Sequence, residues 1–226
     1  MENADEKAVL IVVAAGSGTR FGGDKMLFPL RGKPVFVHAL ERLSPAAKRT
    51  VLVVPVGREA EFESAAAEHL PHLALKIVAG GKNRTESVKN GVAAAELRPG
   101  ELAAVHDAAR PLATPELLRK LCRKARDVGG AVPGFPQTDA QKLADENGMV
   151  VSDLPRAGVW NVGTPQVFQA ELLLRACGTA EVAACLDDAE AVRAVGGKVA
   201  VVPSDEPNLK LTTPADLEKI EKLLSR

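Results

Sequence analysis

With 226 residues, 46% of them hydrophobic and 26% charged, the chain has the length and composition of one sizeable α/β domain, which excludes disordered, collagen-like and coiled-coil classes. Its 29 Lys and Arg balance 29 Asp and Glu, so no global field exists to hold a nucleic acid, and any phosphate binding must be local. The longest apolar run near the start, Val9 to Ala15, falls far below the roughly 20 residues of a membrane span, and the acidic opening Met-Glu-Asn-Ala-Asp-Glu-Lys is unlike a secretory signal. A cytoplasmic protein that contacts no membrane is expected.

In chain order, short β-branched runs alternate with helical stretches. Strands are predicted at Val9–Ala14, Thr50–Val56, Leu75–Ala79, Leu102–His106 and Gly130–Pro133, with helices at Pro34–Leu43, Arg58–His69, around Thr85–Leu97 and from Thr114-Pro115-Glu116 onward. Ser44-Pro45, Thr114-Pro115 and Thr213-Pro214 each place a capping hydroxyl before an N1 proline and are read as helix starts. Between Gly134 and Trp160 the rhythm breaks, and short segments around Ala140–Leu143 and Met149–Ser152 predict a small β-arm of the kind that meets a partner subunit. Alternation then resumes through Gln169–Cys177, Asp187–Val195, Lys198–Pro203 and Thr213–Leu224. Near-continuous apolar strands separated by helices specify a Rossmann-like, mostly parallel sheet covered on both faces, with function in the loops beyond the strands' carboxyl ends. Without repeats or linkers, residues 1–226 read as a single domain with an arm at about 135–158. Cys122, Cys177 and Cys185 form no C-x-x-C pair and read as buried thiols, while His69 and His72 read as surface residues.

The first strand runs into Ala14-Ala15-Gly16-Ser17-Gly18-Thr19-Arg20-Phe21-Gly22-Gly23-Asp24-Lys25, whose small residues expose backbone N–H groups and whose cations, Arg20 and Lys25, can neutralise a phosphoryl group in transfer. A dinucleotide fingerprint would need glycine where Phe21 stands. A Walker loop needs Gly-Lys followed by Ser or Thr, which Gly32-Lys33-Pro34, Gly81-Lys82-Asn83 and Gly197-Lys198-Val199 all lack.

Four segments together resemble the cytidylyltransferases that make 4-diphosphocytidyl-2-C-methylerythritol in the non-mevalonate isoprenoid pathway. They are Ala14-Ala15-Gly16-x-Gly18-x-Arg20 with Lys25; Gly80-Gly81-x-x-Arg84-x-x-Ser87-Val88; His106-Asp107-Ala108-Ala109-Arg110-Pro111; and Asn208-x-Lys210-x-Thr212-x-Pro214-x-Asp216-Leu217. Trp160 with Thr164-Pro165-Gln166-x-Phe168 falls in the place that the same pattern requires. The resemblance implies a nucleotide-diphospho-sugar transferase fold, a homodimer, and transfer of CMP from CTP to 2-C-methyl-D-erythritol 4-phosphate with release of pyrophosphate. It implies catalytic roles for Arg20, Lys25 and Lys210. It implies nucleotide binding by Ala14, Ala15, Gly16, Ser17, Gly18, Gly80, Gly81, Arg84, Ser87 and Asp107, with Gly80-Gly81 and Ser87 around the cytosine. Asp107, closing a buried strand, is the expected holder of Mg²⁺. Arg110, Thr138, Arg156 and Lys210 are expected at the acceptor phosphate, Arg156 from across a dimer interface. His106 is expected to be structural, because an ionised phosphate nucleophile needs no general base.

The chain departs from the family pattern in several places. Asp24 and Met26 flank Lys25 where the family has Pro and Gln, Lys82 replaces an acidic residue, and Ala140 and Leu186 stand where the family carries hydroxyls. These departures leave ribitol 5-phosphate open as an alternative acceptor. A non-catalytic nucleotide-binding protein is the alternative from another class, against which the joint presence of Arg20, Lys25, Asp107 and Lys210 argues.

Overall fold

A computed structural model describes residues 6–16, 18, 21–155, 157–179, 184–204 and 208–225. The chain runs through β1 (Ala8–Val13), a short hairpin of β2 (Pro29–Leu30) and β3 (Lys33–Pro34), α1 (Val35–Leu43), β4 (Ala47–Val54), α2 (Glu59–His69), β5 (Leu75–Ala79), α3 (Arg84–Ala95) and β6 (Leu102–Asp107). It continues with α4 (Pro115–Val128), β7 (Gly130–Pro136), an arm hairpin of β8 (Lys142–Ala144) and β9 (Val150–Asp153), β10 (Trp160–Val162), β11 (Gln166–Gln169), α5 (Ala170–Cys177), α6 (Asp188–Ala194), β12 (Val199–Pro203) and α7 (Ala215–Leu224).

Among the described residues one large sheet forms in the order β10-β7-β11-β6-β1-β4-β5, with β12 also pairing β7. Strands β5, β4, β1 and β6 are parallel, whereas β11 runs antiparallel between β6 and β7. The period-2 geometry of a strand splits the apolar sequence of β1 between two cores. Leu10 and Val12 pack with Leu40 of α1, Phe62 of α2 and Leu118 of α4 on one face. Val9 and Ile11 pack with Val92 of α3, Leu173 of α5 and Val192 of α6 on the other. Burial on both faces explains the unbroken apolar reading of the central strands, each fully buried Leu, Ile or Val contributing about 1.5–3 kcal/mol.

The parallel, two-faced sheet and the small β-arm are present as the sequence indicates, and no described helix is long and apolar enough to cross a membrane. Thr114 caps α4 by accepting from the Leu117 N–H at 3.2 Å. The other two proposed helix starts differ. Ser44-Pro45 opens only a 3-10 turn, Ser44–Ala46, because β4 begins at the next residue. At Thr213-Pro214 the helix starts one residue later, and the Thr213 hydroxyl donates to the Asp216 carboxylate at 3.1 Å instead of capping the helix, while that carboxylate also accepts from the Thr212 and Thr213 amides at 3.0 and 2.8 Å. Strands β10 and β11 also lie where the sequence shows only a motif, since Gln166-Val-Phe-Gln is too short and too polar at its ends to declare a strand.

Just past the strand ends, backbone hydrogen bonds lace the loops together. Ala14 N–H donates to Val53 at 2.7 Å, Gly80 N–H to Val54 at 2.7 Å, Ala108 N–H to Val13 at 3.0 Å and Leu211 N–H to Ala109 at 2.8 Å. The Thr164 hydroxyl accepts from the Asp107 N–H at 3.0 Å and ties the β10–β11 connection into the same belt.

Candidate active site

Above this belt a cleft of about 400 Å³ opens at the carboxyl ends of the parallel strands, where ligands of open α/β sheets bind. Its walls include Ala14, Ala15, Gly16 and Gly18 of the first loop, Lys25 at that loop's end, Gly81, Arg84 and Ser87 around the start of α3, Asp107 at the end of β6, and Lys210. Segments widely separated in sequence are thereby brought together. Glycine is required at two of these bends. Gly18 has a φ of +64°, and a Cβ there would stand 2.3 Å from the Gly23 carbonyl oxygen. At Gly80 a Cβ would meet Ala15 at 2.5 Å and the Ser87 hydroxyl at 2.8 Å.

The loop before α3 is shaped by its own side chains. Asn83, the N-cap, accepts from the Glu86 N–H at 2.8 Å. Buried Ser87 donates its hydroxyl proton to the Asn83 carbonyl at 2.8 Å and accepts from the Gly81 N–H at 3.0 Å, so it first of all moulds the Gly80-Gly81 turn. Asp24 is engaged by Arg58, whose guanidinium donates to it at 2.5 Å while also holding Glu61. That pairing gives the added carboxylate beside Lys25 a cationic partner of its own.

Asp107 is the electrostatic centre. One oxygen accepts from Lys210 Nζ at 2.7 Å, the other from Arg84 Nε at 3.3 Å. Burial alone would raise this carboxyl, but the Arg84 and Lys210 charges outweigh it and hold it well below the usual carboxylate range, so it is an anion throughout the physiological range. Arg84 in turn donates Nη2 to Asp188 at 2.8 Å. Among the described residues no cluster of three His, Cys, Asp or Glu side chains could hold a metal, and Asp107 is the acidic side chain among those described in the cleft lining. That donor set fits a hard divalent ion that takes its remaining ligands from phosphate oxygens and water.

His106 is fully buried and structural, as expected. Its Nε2–H donates to the Arg110 carbonyl at 3.1 Å, and Nδ1 accepts from the Thr164 hydroxyl at 3.2 Å. Burial pushes the imidazole from its ordinary value of 6.5 down to about 4. The folded state thus excludes a proton that the unfolded chain takes up, and His106's contribution is complete above about pH 6.5 and lost as pH falls through 4. Urea unfolding between pH 7.5 and 4 is expected to show this loss, about 3 kcal/mol at most, and His106→Gln should flatten that window; an equally steep profile in the variant would assign the acid lability elsewhere.

Other expected site residues lie apart from the cleft. Arg110 packs behind it, its Nη1 donating to the Asn208 carbonyl at 2.7 Å, and Thr138 is exposed on the arm. Ser17, Arg20 and Arg156 lie outside the described residues. The structure adds Asn83, Lys82 and Thr212 to the lining, and Asp188 behind Arg84. The Asn-x-x-Glu spacing of a helix cap points to Asn83; no local sequence signal couples residue 188 to residue 84. Of the three cysteines Cys122 is buried, as read from the sequence, whereas Cys177 and Cys185 are only half-buried.

Residues 8–226 match the family model described as IspD, 2-C-methyl-D-erythritol 4-phosphate cytidylyltransferase. The 2-C-methyl-D-erythritol 4-phosphate cytidylyltransferase of Cereibacter sphaeroides is 40% identical over 222 residues, covering 95% of this chain and 96% of its own. That of Symbiobacterium thermophilum is 40% identical over 219 residues, covering 95% and 92%. The crystal structure of the enzyme from Thermus thermophilus superposes with a TM-score of 0.77 at 28% identity, covering 97% of this chain and all of that one. With the cleft, the fold and nearly the full length in agreement, the chain belongs to the IspD family, the cytidylyltransferases that convert CTP and 2-C-methyl-D-erythritol 4-phosphate into 4-diphosphocytidyl-2-C-methyl-D-erythritol for isoprenoid synthesis.

Proposed function

We propose that this chain carries out the family reaction in the cleft around Asp107, and that the joint placement of Lys25, Asp107 and Lys210 on one wall system carries that reading. An oxygen of the acceptor's ionised phosphate attacks the α-phosphorus of CTP in line. The new P–O bond forms as the bond to the β-phosphate oxygen breaks, and pyrophosphate leaves with the electron pair. No general base is needed, and catalysis consists of positioning and charge stabilisation. The Gly16–Gly18 backbone receives the triphosphate, Lys25 and Arg20 neutralise the charge growing on the transferred group, and Lys210 spans Asp107 and the reacting phosphates. The turn at Gly80-Gly81, backed by Ser87, leaves room for a flat base. Asp107, with phosphate oxygens, would hold Mg²⁺, which supplies charge neutralisation at the phosphates when bound. Pyrophosphate release tests the reading with CTP against ATP, GTP and UTP, and with 2-C-methyl-D-erythritol 4-phosphate against ribitol 5-phosphate and no acceptor. Release only with CTP and the methylerythritol phosphate supports it; a ribitol preference would assign the acceptor site differently, and silence with every pair would favour a binding protein.

The acceptor half is assigned to a homodimer of this single-domain, cytoplasmic protein. Arg110 is turned toward Asn208, Thr138 sits on the arm, and β8–β9 exposes Met149, Val150 and Val151 at 67, 60 and 64%. A two-stranded hairpin with such an apolar surface needs a covering partner, and a second copy's site is the reading that also gives Thr138 and Arg156 a role. Val151→Glu is expected to shift the protein from dimer to monomer in sedimentation analysis and to lower turnover with it; a fully active monomer would dismiss the composite site.

A further inference from the structure

In the sequence Asp188 is only part of a short acidic segment, yet in the fold it is among the few charged side chains of the interior, 6% exposed. Its mount is rigid. Asp187 caps α6 by accepting from the Glu190 N–H at 2.9 Å and accepts from Gln166 Nε2 at 2.8 Å, while Gln166 Oε1 accepts from the Ala189 N–H at 3.0 Å. Gln166, on β11, is itself buried, so the start of α6 is pinned to the sheet and the Asp188 carboxylate is fixed where Arg84 meets it.

Arg84 stands between two carboxylates, and its bonds to them are unequal: 2.8 Å from Nη2 to Asp188, 3.3 Å from Nε to Asp107. Packing does not impose this choice. Arg84 lines both the nucleotide cleft and a second cavity of about 260 Å³, and its guanidinium reaches a carboxylate from each. A buried ion pair of this kind is no better for stability than apolar residues of the same volume. The selection of Asp188 as Arg84's shorter partner therefore calls for a role at the site.

We propose that Asp188 is a positioning residue: its fixed carboxylate draws the Arg84 guanidinium toward itself and leaves one Asp107 oxygen held only by the long 3.3 Å bond from Nε, so that a divalent cation can take that oxygen. This rests on the assignment of Asp107 to that cation. With Asp188 neutral, the planar fork of Arg84 turns to chelate Asp107 through two parallel N–H···O bonds, and the cation must compete with it. One charge-assisted hydrogen bond gained by Arg84 corresponds to roughly tenfold in that competition.

The test uses Mn²⁺, titrated into the intact protein with saturating CTP and followed by the EPR signal of the free ion. Asp188→Asn is expected to weaken Mn²⁺ retention about tenfold while CTP affinity at excess Mn²⁺ stays within about twofold. Adding Arg84→Met to Asp188→Asn should restore retention, because the competitor is gone; a packing role for Asp188 would not be rescued by a second loss. Unchanged retention in Asp188→Asn, or no rescue in the double variant, overturns the proposal. Should Asp188→Asn not fold, Arg84→Met alone decides, since retention must equal or exceed that of the parent protein and weaker retention rejects the idea. Asp107→Asn serves as the control: if it leaves Mn²⁺ retention intact, the assignment of Asp107 has failed, whatever residue 188 does.

Discussion

Asp107→Asn is expected to lower turnover by about 10³-fold, the upper range for removal of one preorganised charge from a transition-state site. The carboxylate is the only acidic group lining the cleft among the described residues, and two cations are arranged on it at 2.7 and 3.3 Å. Amidation removes the sole protein ligand proposed for the metal and frees Lys210 from its partner. Shape is preserved, because the Asp107 N–H still donates to Thr164 and β6 keeps its register on β1. Arg84 also retains Asp188. The loss in stability should therefore be only about 1–3 kcal/mol, a shift of a few degrees in the unfolding midpoint. Steady-state pyrophosphate release beside thermal unfolding separates the two effects. Turnover within tenfold of the parent protein would remove Asp107 from the chemistry.

For Lys25→Ala the expected loss is about 10²–10³ in kcat, with the KM for CTP rising no more than about fivefold, because this cation acts on charge that develops only in the transition state. Lys25 closes the glycine-rich loop, its Cβ 3.6 Å from the point where a Gly18 Cβ would stand. The loop conformation that Gly18 permits thus sets where the ammonium group lies. Lys25→Arg should recover only part of the rate, since a planar fork does not replace a compact point charge at the same depth. A large KM increase with unchanged kcat would instead place Lys25 in ground-state binding.

The central sheet was legible because β1, the Val51–Val54 part of β4 and the Leu102–Val105 part of β6 are buried on both faces and apolar throughout. The ends of helices were legible only where the capping side chain had no other partner: Thr114 caps α4, while the Thr213 hydroxyl is drawn off as a donor to Asp216. Strand β11 stayed hidden because four residues inserted antiparallel between β6 and β7 take their strand character from those neighbours. At the site, Gly18, Lys25, Asp107 and Lys210 could be named from their motifs, since phosphate chemistry restricts the residue types at loop ends. The Arg84–Asp188 pair could not. It joins residues 104 apart, and only the assembled fold brings the start of α6 to the start of α3.

The belt of backbone bonds beneath the cleft has a consequence for the thermodynamics of recognition. Because Ala14, Gly80, Ala108 and Leu211 satisfy their amides on neighbouring strands and loops, the gathering of distant segments is completed on folding. The conformational entropy of that gathering belongs to the folding equilibrium, and at these four crossings an arriving nucleotide has no backbone left to bring together. Affinity in such a site is coupled to global stability: a substitution that loosens the belt without touching any ligand reduces the fraction of molecules ready to bind, and the apparent dissociation constant rises in the same proportion.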